Sequence, residues 1–122
     1  MFSFPKQHRL LKRREFTRIL QGGLKIVDPY MVILACNNER DTSRLGLIVS
    51  RKVGKAVVRN QVKRRLRESY RQILDKPKGL DLVVIARFPI TEASQQQVDK
   101  SFQKSLSRLL RKMQTRAANH EC

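Results

Sequence analysis

Between Val58 and Ile73 the apolar side chains fall at Val58, Val62, Leu66, Tyr70 and Ile73, at steps of four, four, four and three. Only an α-helix can bury a stripe with that spacing. The adjoining face is cationic. At about 100° per residue, Arg59, Asn60, Lys63, Arg64, Arg67 and Arg71 point within an arc of roughly 140°. From Arg51 onward the basic residues are Arg51, Lys52, Lys55, Arg59, Lys63, Arg64, Arg65, Arg67 and Arg71, nine against the single acid Glu68. A solvated helix face usually carries Glu partners at i,i+4 to offset its Lys and Arg. Here they are almost absent, so the ridge points to a polyanionic partner.

The rest of the chain must supply a surface to cover the apolar stripe. Residues 12–21 place Phe16, Ile19 and Leu20 at helical spacing, and Gly22-Gly23 terminates that helix. Residues 26–36 form an apolar, β-branched run with Tyr30, Val32, Leu34 and Cys36 on one face and Met31, Ile33 and Ala35 on the other, predicting a strand covered on both sides. A polar cluster at 37–43 separates it from a second run at 45–49, and the two most simply pair as a hairpin. Residues 53–58 read as a short loop, and the helix of the apolar stripe covers 59–74, with Pro77 and Gly79 at its exit. The segment 80–88, LDLVVIARF, is rich enough in Val and Ile to be central in a sheet, and Pro89 closes it. Residues 91–114 predict a long amphipathic helix with Val98, Phe102, Leu106, Leu109, Leu110 and Met113 on one side and Thr91 as its N-cap. The order helix, hairpin strands, helix, strand, helix gives an α+β fold, a layer of helices on a small sheet. The ordered core is expected at about 10–114, between a frayed basic N-terminus and a frayed tail at 115–122.

With 122 residues the chain makes one domain. Lys and Arg number 27 against 10 Asp and Glu, a net charge of +17, while 40% of residues are hydrophobic, enough to form a core. Such a field favours nucleic acid ahead of an anionic membrane or an acidic protein. No apolar segment is long enough for a signal sequence or a bilayer span, which predicts a cytoplasmic protein. Cys36 lies in an apolar run and Cys122 is the last residue, so both are expected as reduced thiols. A protein-catalysed nuclease would need clustered carboxylates for metals or a His acid-base pair. The acids are scattered, with Glu39 and Asp41 in one turn and Asp28, Asp75, Asp81, Glu92 and Asp99 apart; His8 and His120 lie near opposite ends, and no Cys/His spacing suits zinc. No catalytic residue and no protein-held metal site is expected.

The string Lys52-Val53-Gly54-Lys55-Ala56-Val57-Val58-Arg59-Asn60-Gln61-Val62-Lys63-Arg64-Arg65-Leu66-Arg67-Glu68 resembles the signature of the bacterial ribonuclease P protein component, whose Arg-Asn followed by spaced basic residues is called the RNR motif. The likeness extends to Leu10-Leu11-Lys12 with Glu15-Phe16, to Leu45 through Lys52, and to Val83-Val84-Ile85-Ala86-Arg87. It implies a single two-layer domain of order α-β-β-β-α-β-α, with a small mixed sheet and a left-handed βαβ crossover, against the usual right-handed preference. It also implies a holoenzyme in which a large RNA is the catalyst and the protein is a cofactor that helps remove the 5′ leader of precursor tRNA. Mg2+ is then expected to be held through the RNA subunit, and no membrane or protein partner is implied.

Carried onto this sequence, the resemblance makes Arg59, Asn60, Lys63, Arg64, Arg65 and Arg67 the face toward ribonuclease P RNA, flanked by Lys52 and Lys55. The cleft for the precursor-tRNA leader draws on Phe16, Ser50, Arg51 and Arg87. The family often has Asn where Lys55 stands, and aromatics where this chain has Leu20 and Leu34, so Phe16 is the remaining stacking candidate. As plain residues, Phe16 reads first as core, Arg87 as a snorkelling strand-end residue, and Tyr70 as packing; the resemblance brings Phe16 level between core and cleft and sets Arg87 in the cleft. A ribosomal RNA-binding protein would share the charge and size, but it has no reason to carry the motif string.

Overall fold

The computed structural model describes Arg9, residues 12–74 and residues 76–115. Helix α1 spans Arg13–Gly22, and strands β1 (Leu24–Val27), β2 (Met31–Asn37) and β3 (Arg44–Ile48) follow. Helix α2 spans Ala56–Arg71, β4 Leu80–Ala86, a 3-10 turn Phe88–Glu92, and α3 Gln95–Thr115. The four strands lie side by side in the order β1-β2-β4-β3, with β1-β2 and β2-β4 antiparallel and β3-β4 parallel. The expected loose ends, with His8, His120 and Cys122, lie outside the described residues.

Two strand expectations are corrected. The run at 26–36 is not one strand, because Asp28, Pro29 and Tyr30 fold it back into the β1-β2 hairpin. The Asp28 carboxylate accepts the Tyr30 N–H at 2.8 Å, and the Asp28 N–H reaches the Met31 carbonyl at 2.9 Å. This is an Asx turn next to a proline that has no N–H to give a ladder. The run at 45–49 does not pair with β2. Strand β4, apolar on both faces, takes the central place between β2 and β3, and α2 provides the crossover that a parallel β3-β4 pair needs.

Strand alternation divides the core in two. Leu24, Ile26, Met31, Ile33, Ala35, Leu82, Val84 and Ala86 face Val62, Leu66 and Tyr70 of α2 and Val98, Phe102, Leu106 and Leu109 of α3, all buried. The predicted stripe of α2 is therefore its buried face. On the other side of the sheet, Leu34, Cys36 and Val83 form a second cluster with Ile19 of α1. Cys36 is fully buried in this cluster. Among the described residues no helix is long and apolar enough to cross a membrane.

The helix ends are also sharper than the pattern implied. Helix α2 starts at Ala56, three residues early, because Ala56 to Val58 is its first turn and Lys55 its N-cap. Helix α3 begins after Thr91, whose hydroxyl instead donates to the Phe88 carbonyl at 2.9 Å inside the 3-10 turn. Its cap is Ser94: the Gln97 N–H donates to Ser94 Oγ at 3.1 Å, and the Ser94 N–H donates to Gln97 Oε1 at 2.8 Å. That reciprocal pair is a capping box. Ser94→Ala should cost about 1 kcal/mol by chemical denaturation, the usual value of an N-cap, whereas Thr91→Ala should cost less than half of that.

Candidate nucleic-acid interface

The sheet face under α1 is built as a series of cross-strand rows. Cys36, Asp81 and Arg44 are register partners at one end, Leu34, Val83 and Gly46 form the next row, and Val32, Ile85 and Ile48 the third. The first row is locked by charge. Asp81 is 0% exposed and accepts two bonds from the Arg44 guanidinium, at 2.9 and 2.7 Å, one from Arg18 at 2.8 Å and one from Asn38 at 2.9 Å. Arg44 also donates to Glu15 at 2.7 Å, and Glu15 caps its own helix by accepting the Lys12 N–H at 2.9 Å. The bond to Asp81, with further help from Glu15, raises the Arg44 pKa above its ordinary value despite partial burial. Arg18 of α1 thus bonds to Asp81 directly and Glu15 of α1 reaches it through Arg44, which fixes the helix across one end of the sheet.

The third row is left half open. Val32, Ile48 and Ile85 are only partly buried, as is Phe16 of α1, and all four pack against the cluster of Ile19, Leu34, Cys36 and Val83. Beyond this row the floor becomes polar. Arg87 keeps an extended backbone two residues past Ile85, so alternation keeps it on the same face. It is exposed and spends one donor on the Asp28 carbonyl at 2.9 Å, leaving others of its five N–H groups to face outward. Ser50, two residues past Ile48, and Arg51 are exposed in the turn leading to α2. The result is a shallow trough, walled by Phe16, floored by aliphatic side chains and rimmed by a guanidinium. Its chemistry suits an extended strand that offers base faces and phosphates together.

Helix α2 lies over the opposite sheet face. Its Asn60, Arg64 and Arg67 are exposed, Arg59 and Lys63 are half-buried, and Lys52 and Lys55 are exposed before it. Gly54 is needed where the turn meets the helix: a Cβ there would stand 2.9 Å from a Val58 methyl, and its carbonyl accepts Arg59 Nε at 3.2 Å. Arg65 differs from the other motif residues, since its guanidinium donates to the carbonyls of Ile90 and Ala93 and holds the 3-10 turn against α2. Arg71 is paired with Glu68, which carries a lowered pKa chiefly through that bond. The ridge is therefore centred on Arg59, Asn60, Lys63, Arg64 and Arg67. Sequence reasoning missed Asp81 and Arg44 altogether; the signal was an acid and a base on β-strands of otherwise apolar character.

The family description Ribonuclease P matches residues 4–110. The chain is 40% identical over 109 residues to the ribonuclease P protein component of Clostridium botulinum (strain 657 / Type Ba4), covering 88% of this chain and 95% of that one. Among solved structures, the RNase P protein from Thermotoga maritima is 39% identical, with a TM-score of 0.76 over 82% of this chain and 96% of the other. The Staphylococcus aureus RNase P protein is 35% identical, with a TM-score of 0.77 over 83% of this chain and 94% of the other. A charged ridge on α2, a half-covered sheet face and a likeness that spans the domain converge on one assignment: the chain belongs to the ribonuclease P protein family, the protein subunit of the ribonuclease P endoribonuclease.

Proposed function

We propose that this subunit holds ribonuclease P RNA on the cationic ridge of α2 and the 5′ leader of precursor tRNA in the trough beside α1, promoting removal of the leader by the RNA. The observation that carries the reading is the separation of the two surfaces. The ridge stands on the helical layer over one sheet face, and the trough is the half-covered part of the other, so the protein can touch catalyst and substrate at once. The ridge offers point charges and bidentate donors for phosphate and few base-reading amides. The trough offers one aromatic and an aliphatic floor. Mg2+ in this reading is held by RNA phosphates, and the working compartment is the cytoplasm.

The two roles separate experimentally. Phe16→Ala or Arg87→Ala should weaken binding of precursor tRNA bearing a leader by about 1 to 3 kcal/mol, the scale of one stacked base. Binding of mature tRNA, and assembly with the catalytic RNA, should stay nearly unchanged. Arg59→Ala or Lys63→Ala should do the reverse, impairing assembly whatever the leader length. Cleavage at saturating catalytic RNA, with assembly followed by gel shift, distinguishes them. Loss of assembly and of leader discrimination together in the Phe16 and Arg87 variants would overturn the two-surface assignment and return Phe16 to a core role.

A further inference from the structure

Helix α3 carries a second cationic ridge that the α2 reading does not use. Lys100, Lys104, Arg108 and Arg111 recur at steps of four, four and three, and all four are exposed. At about 100° per residue they share an arc of roughly 80°. The only acid of α3 is Asp99, and it is turned inward: Ser69 of α2 donates to it at 2.5 Å, and Gln95 donates to it at 2.9 Å. Among the described residues none of the four cations forms an ion pair.

The contact between Ser69 and Asp99 marks the seam where the two helices meet. On both helices the cationic arc lies roughly 140° around the axis from that seam. Each ridge therefore points away from the seam, and the two are separate surfaces carried by different helices. From Lys100 to Arg111 the row extends about 16 Å at 1.5 Å per residue. Its exposed companions are Gln96, Gln97, Gln103 and Ser107, with no aromatic on which a single strand could stack. Regularly spaced cations with no stacking platform suit the phosphate backbone of a duplex.

We infer that the α3 ridge is a second docking surface for helical RNA, occupied by another duplex segment of ribonuclease P RNA. This inference rests on the proposed function. The catalytic RNA is favoured over the tRNA body because α3 covers the sheet face opposite the leader trough. A large RNA can present separate helices to the two ridges, whereas a substrate anchored by its leader starts from the other side.

The test uses the full chain with Lys104→Gln, Arg108→Gln and Arg111→Gln combined. Glutamine is a good helix former and the sites are exposed, so circular dichroism and the melting midpoint should match the parent. Binding to the catalytic RNA should weaken about tenfold or more at moderate salt. The slope of log affinity against log salt should become shallower by roughly 2.7, three contacts at about 0.9 each. A companion variant, Arg108→Lys with Arg111→Lys, keeps the charges and should restore the slope. An unchanged affinity and slope in the triple variant would overturn the inference and leave α3 a solvated face. Unchanged assembly with weaker holoenzyme binding of mature tRNA would also overturn it, naming the substrate body as occupant. If the parent protein itself fails to bind the catalytic RNA, the proposed function falls, an outcome distinct from either.

Discussion

Asp81→Ala should destabilise the free domain by about 3 to 5 kcal/mol, the range for removing one partner of a buried ion pair. The carboxylate is fully buried and holds Arg44, Arg18 and Asn38 together. Arg18 is partly exposed and can return to water, but the Arg44 side chain is only 11% exposed and would keep a single acidic contact, Glu15. For a domain of this size the melting midpoint should fall by roughly 10 °C or more. Arg71→Ala, which breaks an exposed pair on α2, should change stability by no more than about 0.5 kcal/mol. The Asp81 substitution should also speed hydrogen exchange across α1 more than across α3, because the lost contacts tie α1 to the sheet. A cost below about 1 kcal/mol would show that the clamp does not secure α1.

The second large effect concerns the ridge of α2. Arg64→Ala with Arg67→Ala should bind the catalytic RNA about 10- to 100-fold more weakly at low salt, as expected for losing two charge-assisted contacts at a hydrated surface. The slope of log affinity against log salt should become shallower by roughly 1.4 to 1.8, depending on whether the phosphates belong to single or paired strands. Both side chains are exposed and neither belongs to the buried stripe, so the fold should be intact. Arg65→Ala should behave differently. Its donors are engaged by the Ile90 and Ala93 carbonyls, so the main loss should appear in thermal stability, with the salt slope little changed. An Arg65 variant that folds normally and loses salt dependence would reverse this distinction.

Much of this was legible because the strongest signals were periodic. The α2 stripe, the two-sided apolar character of β4 and the amphipathic α3 each followed from spacing, and each is buried as the spacing required. The strand pairing was not legible in the same way. Whether the run at 45–49 pairs with the run before it or with β4 depends on which strand fills the middle of the sheet, a tertiary choice with no local mark. The β1-β2 turn did have a mark, Asp28-Pro29, but it was hidden inside a continuous apolar run. The capping box at Ser94 and Gln97 was equally written in the sequence and lost to the more familiar Thr91. The charge clamp at Asp81 was the hardest to see, because its parts come from α1, the turn after β2, β3 and β4 and meet only after the sheet forms. Motif membership was also a coarser guide than helical phase: Arg65 belongs to the string, yet its phase sets it outside the exposed arc and against the 3-10 turn.

The role of the subunit is tested most directly by cleavage of 5′-labelled precursor tRNA with the protein alone, the catalytic RNA alone and the two together. The protein alone should not cleave. With the RNA, the protein should produce the mature 5′ end faster than the RNA does by itself, and the gain should shrink as the leader is shortened. Cleavage by the protein alone, or a rate that the protein leaves unchanged at every leader length, would contradict that role.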